Sequence, residues 1–196
     1  MEKTKILSIL FFVVALGLAY YLSSSIYTSI SEAKNVAKNE AAVIEKLIMI
    51  REAQIAFQAV NGRYTSDWGK LKSFIDTGRF YITNKKEHII TKDYGADSVY
   101  VVIDTLGTVL VKDSIFSKQK YPKFDLATLD LVPSKGESKF AMWADKIKKA
   151  GLTVDVVEVW NTDPVNPARN ENNEARTKKP LRFGSRENVT TAGNWE

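Results

Sequence analysis

The chain has no cysteine and a single histidine among its 196 residues. The first absence excludes a disulfide framework, thiolate metal sites, a cysteine nucleophile and a lipidated N-terminal cysteine. The second excludes a zinc site built from several histidines. Glycine and proline are scarce, with 10 and 5 residues, which rules out collagen-like and low-complexity architectures. No glycine-rich phosphate loop is present. Charge of one sign is also lacking: 28 Lys+Arg stand against 23 Asp+Glu, a net +5 spread along the chain, so a disordered polyelectrolyte is excluded. What remains is enough for one domain of ordinary size with an anchor and a tail.

The most informative segment lies at the start. Ile6–Leu22, ILSILFFVVALGLAYYL, carries no charged residue. At about 1.5 Å per helical residue it covers roughly 26 Å, and extension through Ser23–Tyr27 reaches the ~30 Å of a bilayer core. Helical serines return their hydroxyls to backbone carbonyls, so the extension costs little. Tyr20, Tyr21 and Tyr27 stand at the far end, where amphipathic rings favour the membrane interface, and Lys3 and Lys5 flank the near end. A single-pass anchor with a cytoplasmic N-terminus is the preferred reading. A signal peptide cleaved near Gly17-Leu18-Ala19 and a buried core helix are the alternatives. Anchor and signal peptide alike carry everything after about Tyr27 out of the cytoplasm, which argues against a nucleic-acid partner.

From Ser29 to Val60 the chain reads as one long helix without proline or glycine. Val36, Val43, Ile50 and Phe57 recur at heptad spacing, with Ile30, Ala37 and Ile44 beside them, which makes a wide apolar stripe. Val43–Val60 reads as a core helix, and Ser29–Ala42 as a solvated stalk or a weak helix–helix contact. Asn61-Gly62 should end the helix. A short helix is expected over Ser66–Asp76, capped by Thr65 or Ser66 and closed by Gly78. Short strands follow at Arg79–Thr83 and Glu87–Lys92. Stronger ones are Ser98–Ile103 and Thr108–Lys112, joined by a hairpin loop at Asp104–Gly107. Phe124–Val132 is expected to be extended and Glu137–Lys149 helical, through Phe140, Trp143, Ala144 and Ile147. Leu152–Trp160 alternates as a strand with Val154, Val156 and Val159 inward. Beyond Trp160 the polar run NTDPVNPARNENNEARTKKP is expected to be a loop or flexible tail, with Leu181–Gly184 and Trp195 apolar enough to dock back.

Candidate chemistry is sparse. His88 sits in Lys85-Lys86-Glu87-His88 and reads as a surface or strand-edge residue. Asp97, Asp104 and Asp113 are turn carboxylates, and Asp155 and Glu158, three apart on one strand, point to opposite faces. Asp163, Asn166, Asn170, Glu171, Asn172 and Asn173 offer oxygen ligands to calcium but lack the spacing of a calcium loop. No nucleophile–base pair emerges, so no catalytic, cofactor-binding or metal residue is assigned and the chain is read as non-enzymatic. Asn188-Val189-Thr190 fits a glycosylation acceptor by letters alone.

Ile50-Arg51-Glu52-Ala53-Gln54-Ile55-Ala56-Phe57 followed by Asn61-Gly62-Arg63-Tyr64-Thr65 resembles the end of the long helix and first loop of type II secretion pseudopilins and type IV pilins. The layout, a membrane helix running into an amphipathic one and then a sheet, is similar too. Those families carry a Gly-Phe processing junction and a Glu in the hydrophobic helix, whereas here Lys5 leads directly into Ile6 and the segment has no acid. Over most of the chain a further resemblance is to an uncharacterised single-pass envelope family of the Bacteroidota. It is carried by IREAQIAF, NGRYTSDWGKLKSFIDTG, Asp104-Thr105-Leu106, the Phe140–Trp160 block, Leu181–Ser185 and Gly193-Asn194-Trp195-Glu196. That resemblance implies an envelope location. It also makes Asp97-Ser98-Val99, Asp104-Thr105-Leu106 and Asp113-Ser114-Ile115 similar to a periplasmic O-glycosylation motif.

These readings combine into an α+β protein whose long N-terminal membrane-spanning helix continues into an amphipathic helix packed on a mostly antiparallel sheet. Its expected parts are a cytoplasmic N-terminus (1–5), a transmembrane helix (6–27), an extended amphipathic helix (28–60), an extracytoplasmic α+β domain (61–160) and a flexible, loop-rich C-terminal segment (161–196). The expected location is the inner membrane, single-pass, with the C-terminal domain in the periplasm. Expected partners are the lipid bilayer and other envelope proteins, met through the Val36, Val43, Ile50 face or the head, with a homo-oligomer left open. The expected role is a scaffold or assembly subunit, the alternative a binding module for glycan or another anionic envelope polymer.

Overall fold

The computed structural model describes residues 2–91, 97–133, 137–169, 172 and 174–196. It is α+β: one long N-terminal helix and two antiparallel sheets. Helix α1 runs unbroken over Glu2–Asn61, 60 residues or about 90 Å at ~1.5 Å per residue. No proline precedes Pro122, so nothing in this stretch removes a helical hydrogen bond. Thr28 and Ser29 return their hydroxyls to the carbonyls of Ser24 and Ser25, which satisfies polar groups along the apolar segment. From Leu10 to Ile30 every large hydrophobic side chain is exposed. A single helix this long and apolar is compatible with a membrane anchor. The helix stops at Asn61, where Gly62 takes φ +71° and donates its N–H to the Gln58 carbonyl at 2.8 Å.

The last third of α1 is the spine of the head. Val43, Leu47, Ile50, Ala53 and Phe57 are buried against Leu71, Ile75, Val157, Val159 and Phe183. Gln54, fully buried among them, has its amide satisfied by Thr65, accepting its N–H at 3.2 Å and donating to its carbonyl at 2.7 Å. This ties the loop after α1 back onto the helix. The helix face expected to meet envelope partners is therefore largely occupied by the chain itself. Val43 and Ile50 are 2% and 0% exposed, and only Val36, half-buried, lies at the margin.

Helix α2, Trp68–Thr77, begins two residues beyond the expected Ser66, and neither Thr65 nor Ser66 caps it. Asp67 is its N-cap and accepts from the N–H groups of Gly69 and Lys70, while Thr65 is engaged by Gln54. Gly78 ends it in an extended conformation, not the left-handed one. Strands β1, Arg79–Thr91, and β2, Asp97–Leu110, form a two-stranded antiparallel arm. The two short candidates Arg79–Thr83 and Glu87–Lys92 thus merge into one strand as far as Thr91, Lys92 lying outside the described residues. The loop expected at Asp104–Gly107 is a bulge instead: Ile82 pairs with Gly107 and Thr83 with Thr105, leaving Leu106 extruded. A short helix α3, Val111–Ile115, follows, with Val111 N–H bonded to the Gly78 carbonyl at the base of the arm.

Residues 117–133 form a chain of turns where an extended stretch was expected over Phe124–Val132. The turns are held by lysines. Lys46 of α1 donates to the carbonyls of Thr128 and Leu131, and Lys72 of α2 reaches Asp130 at 2.5 Å. Burial opposes charge on the Asp130 carboxyl, but hydrogen bonds from Lys72 and Lys139 outweigh it and hold the group below the usual carboxylate range.

The second sheet has the order β3–β4–β5: Ala141–Lys149, Leu152–Trp160 and Arg182–Gly184. The expected helix over Glu137–Lys149 is thus a strand. Ala150 and Gly151, with φ of 50° and 82°, make a two-residue turn that pairs Lys149 with Leu152 and folds the segment back on β4. The C-terminal segment is not a loose tail either. Phe183 is fully buried, and Asn194, itself 3% exposed, donates to the carbonyls of Arg176, Lys179 and Pro180 while accepting from Arg182 N–H. Arg169 pairs with Glu40 at 2.7 Å, and Arg51 with Glu196 at 2.6 Å beneath the Trp195 ring, so α1 clips both ends of the segment.

Candidate functional site

The register of the three-stranded sheet sorts its side chains by face. Met142, Ala144, Val157, Val159 and Phe183 point to α1 and join the core. The opposite face carries Trp143, Glu158 and Trp160 with Arg182 alongside, because Trp143 pairs with Glu158, Glu158 with Gly184, and Trp160 with Arg182. Gly184 takes φ +81° and lies so close to the Val157 carbonyl that a Cβ would collide with it. It therefore leaves room beside Glu158.

Arg186 fills that room from the following loop. The Ser185 hydroxyl accepts from the N–H groups of Glu187 and Asn188, a local turn that sends Arg186 back across the sheet. Its Nε lies 2.7 Å from Glu158 Oε2, and Arg182 Nη1 lies 3.1 Å from Oε1. The Arg186 guanidinium stands 4.7 Å from the centre of the Trp160 ring and 5.6 Å from that of Trp143. Above this cluster opens a cleft of about 470 Å³, completed by Lys179 and Glu187. A second cleft of about 240 Å³ shares Glu158, Arg182 and Ser185 and adds Arg176. The Glu158 side chain is 9% exposed and bound by two guanidiniums, so it orients both cations. Arg186, half-exposed, and Lys179 present N–H donors to the opening. The arrangement suits recognition of an anionic group beside an indole.

A third cleft, about 310 Å³, lies on the other side of the sheet between the loop after α1 and β3–β4. Asp155 lines it, so Asp155 and Glu158 open onto different clefts, as their odd spacing requires. Burial, and next the negative charge of Asp155, push the Tyr64 hydroxyl above the usual range.

The other sequence candidates are dispersed. His88 lies on the arm, exposed, stacked on Tyr100 at 5.0 Å between ring centres. Asp104 pairs with Lys86 across the arm, and Asp113 is exposed on α3. Thr105 is exposed on β2 and Ser114 on α3. Asp163 accepts from Ser138, and Asn166 donates to Glu40. Asn170, Glu171 and Asn173 of the calcium reading lie outside the described residues. Among the described residues no group of three or more acids and histidines gathers around a common point. Asn188 of the glycosylation acceptor takes the Lys149 ammonium at 2.6 Å.

Sequence reasoning missed Arg182, Arg186, Trp143 and Trp160 as a group. The available signal was slight: two Arg flanking Phe-Gly-Ser, and two Trp on strands whose facing depends on a register that only the turn at Ala150-Gly151 defines. Compared with family models, with curated proteins and with solved structures, the chain matches none.

Proposed function

We propose that the chain is a membrane-tethered, non-enzymatic assembly subunit of a cell envelope, its N-terminus in the cytoplasm and its head in the periplasm. One observation carries this reading. The helix whose N-terminal part exposes its large hydrophobic side chains from Leu10 to Ile30 is the same unbroken helix whose C-terminal part forms the core of the head. Whatever fixes the first segment therefore fixes the head, which is the mechanical requirement for holding partners at a set position. The flanking lysines support the inward N-terminus. The test is fractionation of the full-length protein with a C-terminal tag. It should remain with membranes in alkaline carbonate, expose the tag to periplasmic protease, and leave neutral detergent in a particle that contains other envelope proteins. Recovery from the soluble cytosol, or with no other envelope protein, overturns the reading.

A second reading, an extracytoplasmic binding module for an anionic glycan or polymer, is favoured by the cleft over Glu158. There Arg186 and Lys179 offer donors beside Trp160. Titration of detergent-solubilised protein with an acidic oligosaccharide should change indole emission, and Arg186→Ala should abolish the change. A flat titration counts against it.

A further inference from the structure

The β1–β2 arm is built as half of a larger sheet. Thirteen residues of β1 extend about 43 Å at ~3.3 Å per residue, and among the described residues the arm's main contacts with the elements of the head run through α2 and α3 at its base. A free two-stranded ribbon is marginal in water, and stability comes with a third strand or a packed face. Among the described residues this ribbon has no third strand, and much of its apolar surface is exposed. Ile89, Val99, Val101 and Ile103 share one face by register and are 66%, 55%, 44% and 64% exposed.

The two outer edges differ in kind. The middle of β1 reads Lys85-Lys86-Glu87, with Lys85 and Glu87 ion-paired in the open at 2.6 Å. Such charges are what proteins place on an edge that must stay unpaired. The middle of β2 reads Val99-Tyr100-Val101-Val102-Ile103, an uncharged β-branched and aromatic run, the composition of a strand with neighbours on both sides. Among the described residues no further strand pairs with that edge. The longest run outside the described residues is 92–96, the link between β1 and β2 themselves.

We infer that the missing neighbour is β2 of a second copy of this chain, paired antiparallel about a two-fold axis at Val101. In that register Tyr100 falls opposite Val102 of the partner, Val99 opposite Ile103, and Ser98 opposite Asp104. Apolar positions therefore meet apolar ones, polar positions meet polar ones, and no like charges are opposed. A shift of the axis to Tyr100 sets Asp97 against Ile103, and a shift to Val102 sets Tyr100 against Asp104. The central register is thus the self-complementary one. The resulting four-stranded sheet has Val99, Val101 and Ile103 of both copies as a continuous apolar centre and the Lys85–Glu87 pairs at its two rims. This inference does not depend on the proposed function, since it concerns the arm alone.

The absence of cysteine makes the test direct. Opposed Cα atoms in an antiparallel pair lie about 4.5–5.5 Å apart, within disulfide reach. Full-length Val101→Cys, oxidised in membranes, should form a covalent homodimer at least tenfold faster than Lys85→Cys on the other edge. In detergent, Val101→Lys should raise the dimer dissociation constant at least tenfold, about 1.4 kcal/mol, with far-UV circular dichroism unchanged. Equal cross-linking from both edges, cross-linking of Val101→Cys to a different protein, or a wild type that sediments as a monomer at every concentration overturns the inference.

Discussion

The molecule contains two antiparallel sheets of opposite fate. In β3–β4–β5 the central strand has a partner on each side and α1 over one face, and Val157, Val159 and Phe183 are completely buried. In β1–β2, among the described residues, each strand has one partner, and Ile89, Val99, Tyr100, Val101 and Ile103 are exposed. Both sheets are rich in Val and Ile, so β-branched composition alone does not determine burial. What separates them is a covering layer. The head sheet borrows its cover from the end of α1 and its third strand from the C-terminal segment, whereas among the described residues the arm has no third strand.

Three perturbations sharpen that contrast, and the largest strikes the covered sheet. Phe183→Ala empties a fully buried site on β5 between β4 and α1, and should destabilise the head by about 3–5 kcal/mol. Chemical denaturation of the solubilised protein measures this, and a loss below about 1 kcal/mol would mean that the third strand is not part of the core. The next concerns the lysine-held turns that brace the core. The folded Asp130 carboxyl titrates below its unfolded counterpart, so its contribution is fully present above the unfolded pKa and is lost as pH falls through the folded value. Asp130→Asn should therefore be less stable than wild type by about 1 kcal/mol at pH 7, and the gap should close in acid. A gap that stays constant from pH 7 down to pH 2 would contradict the charge-based account. The smallest effect belongs to the arm. Ile89→Thr, on the exposed face, should shift stability by no more than about 0.5 kcal/mol. A loss comparable to that of Phe183→Ala would show that the arm is packed.

The same contrast explains what could be read from the chain. Helix α1 was legible because its apolar positions recur without interruption and no proline intrudes before Pro122. The stop at Gly62 and the extent of strand β4 were legible for equally local reasons, but the face of β4 was not: Val157 and Val159, not Val154 and Val156, join the core against α1. Strand β3 was not. Phe140, Trp143, Ala144 and Ile147 satisfy helical spacing, yet in the strand Trp143 faces Arg186 while Ala144 faces the core, so both faces bury apolar groups and alternation is hidden. The Asp104–Gly107 signal was spent on a bulge, which uses the same residues as a turn. In the C-terminal segment the docking of Leu181–Gly184 and Trp195 was legible from their apolar side chains, but the polar run before them reads as a loop or flexible tail because it is fastened by polar side chains to backbone carbonyls, and such ties leave no hydrophobic period. For the same reason the candidate cleft stayed invisible: Glu158 meets Arg182 and Arg186 only after β5 has found its place beside β4.

The continuity of α1 gives the protein an angular setting as well as a reach. Each residue of an α-helix advances about 1.5 Å and turns about 100°, and the stretch 29–39 lies between the apolar segment and the first residue packed into the head core, Val43. Insertion of two residues there would lift the head by only ~3 Å but swing the arm through about 200°, whereas seven residues would lift it ~10 Å and return it nearly to its original bearing. Compass heading, more than altitude, is what this stalk encodes.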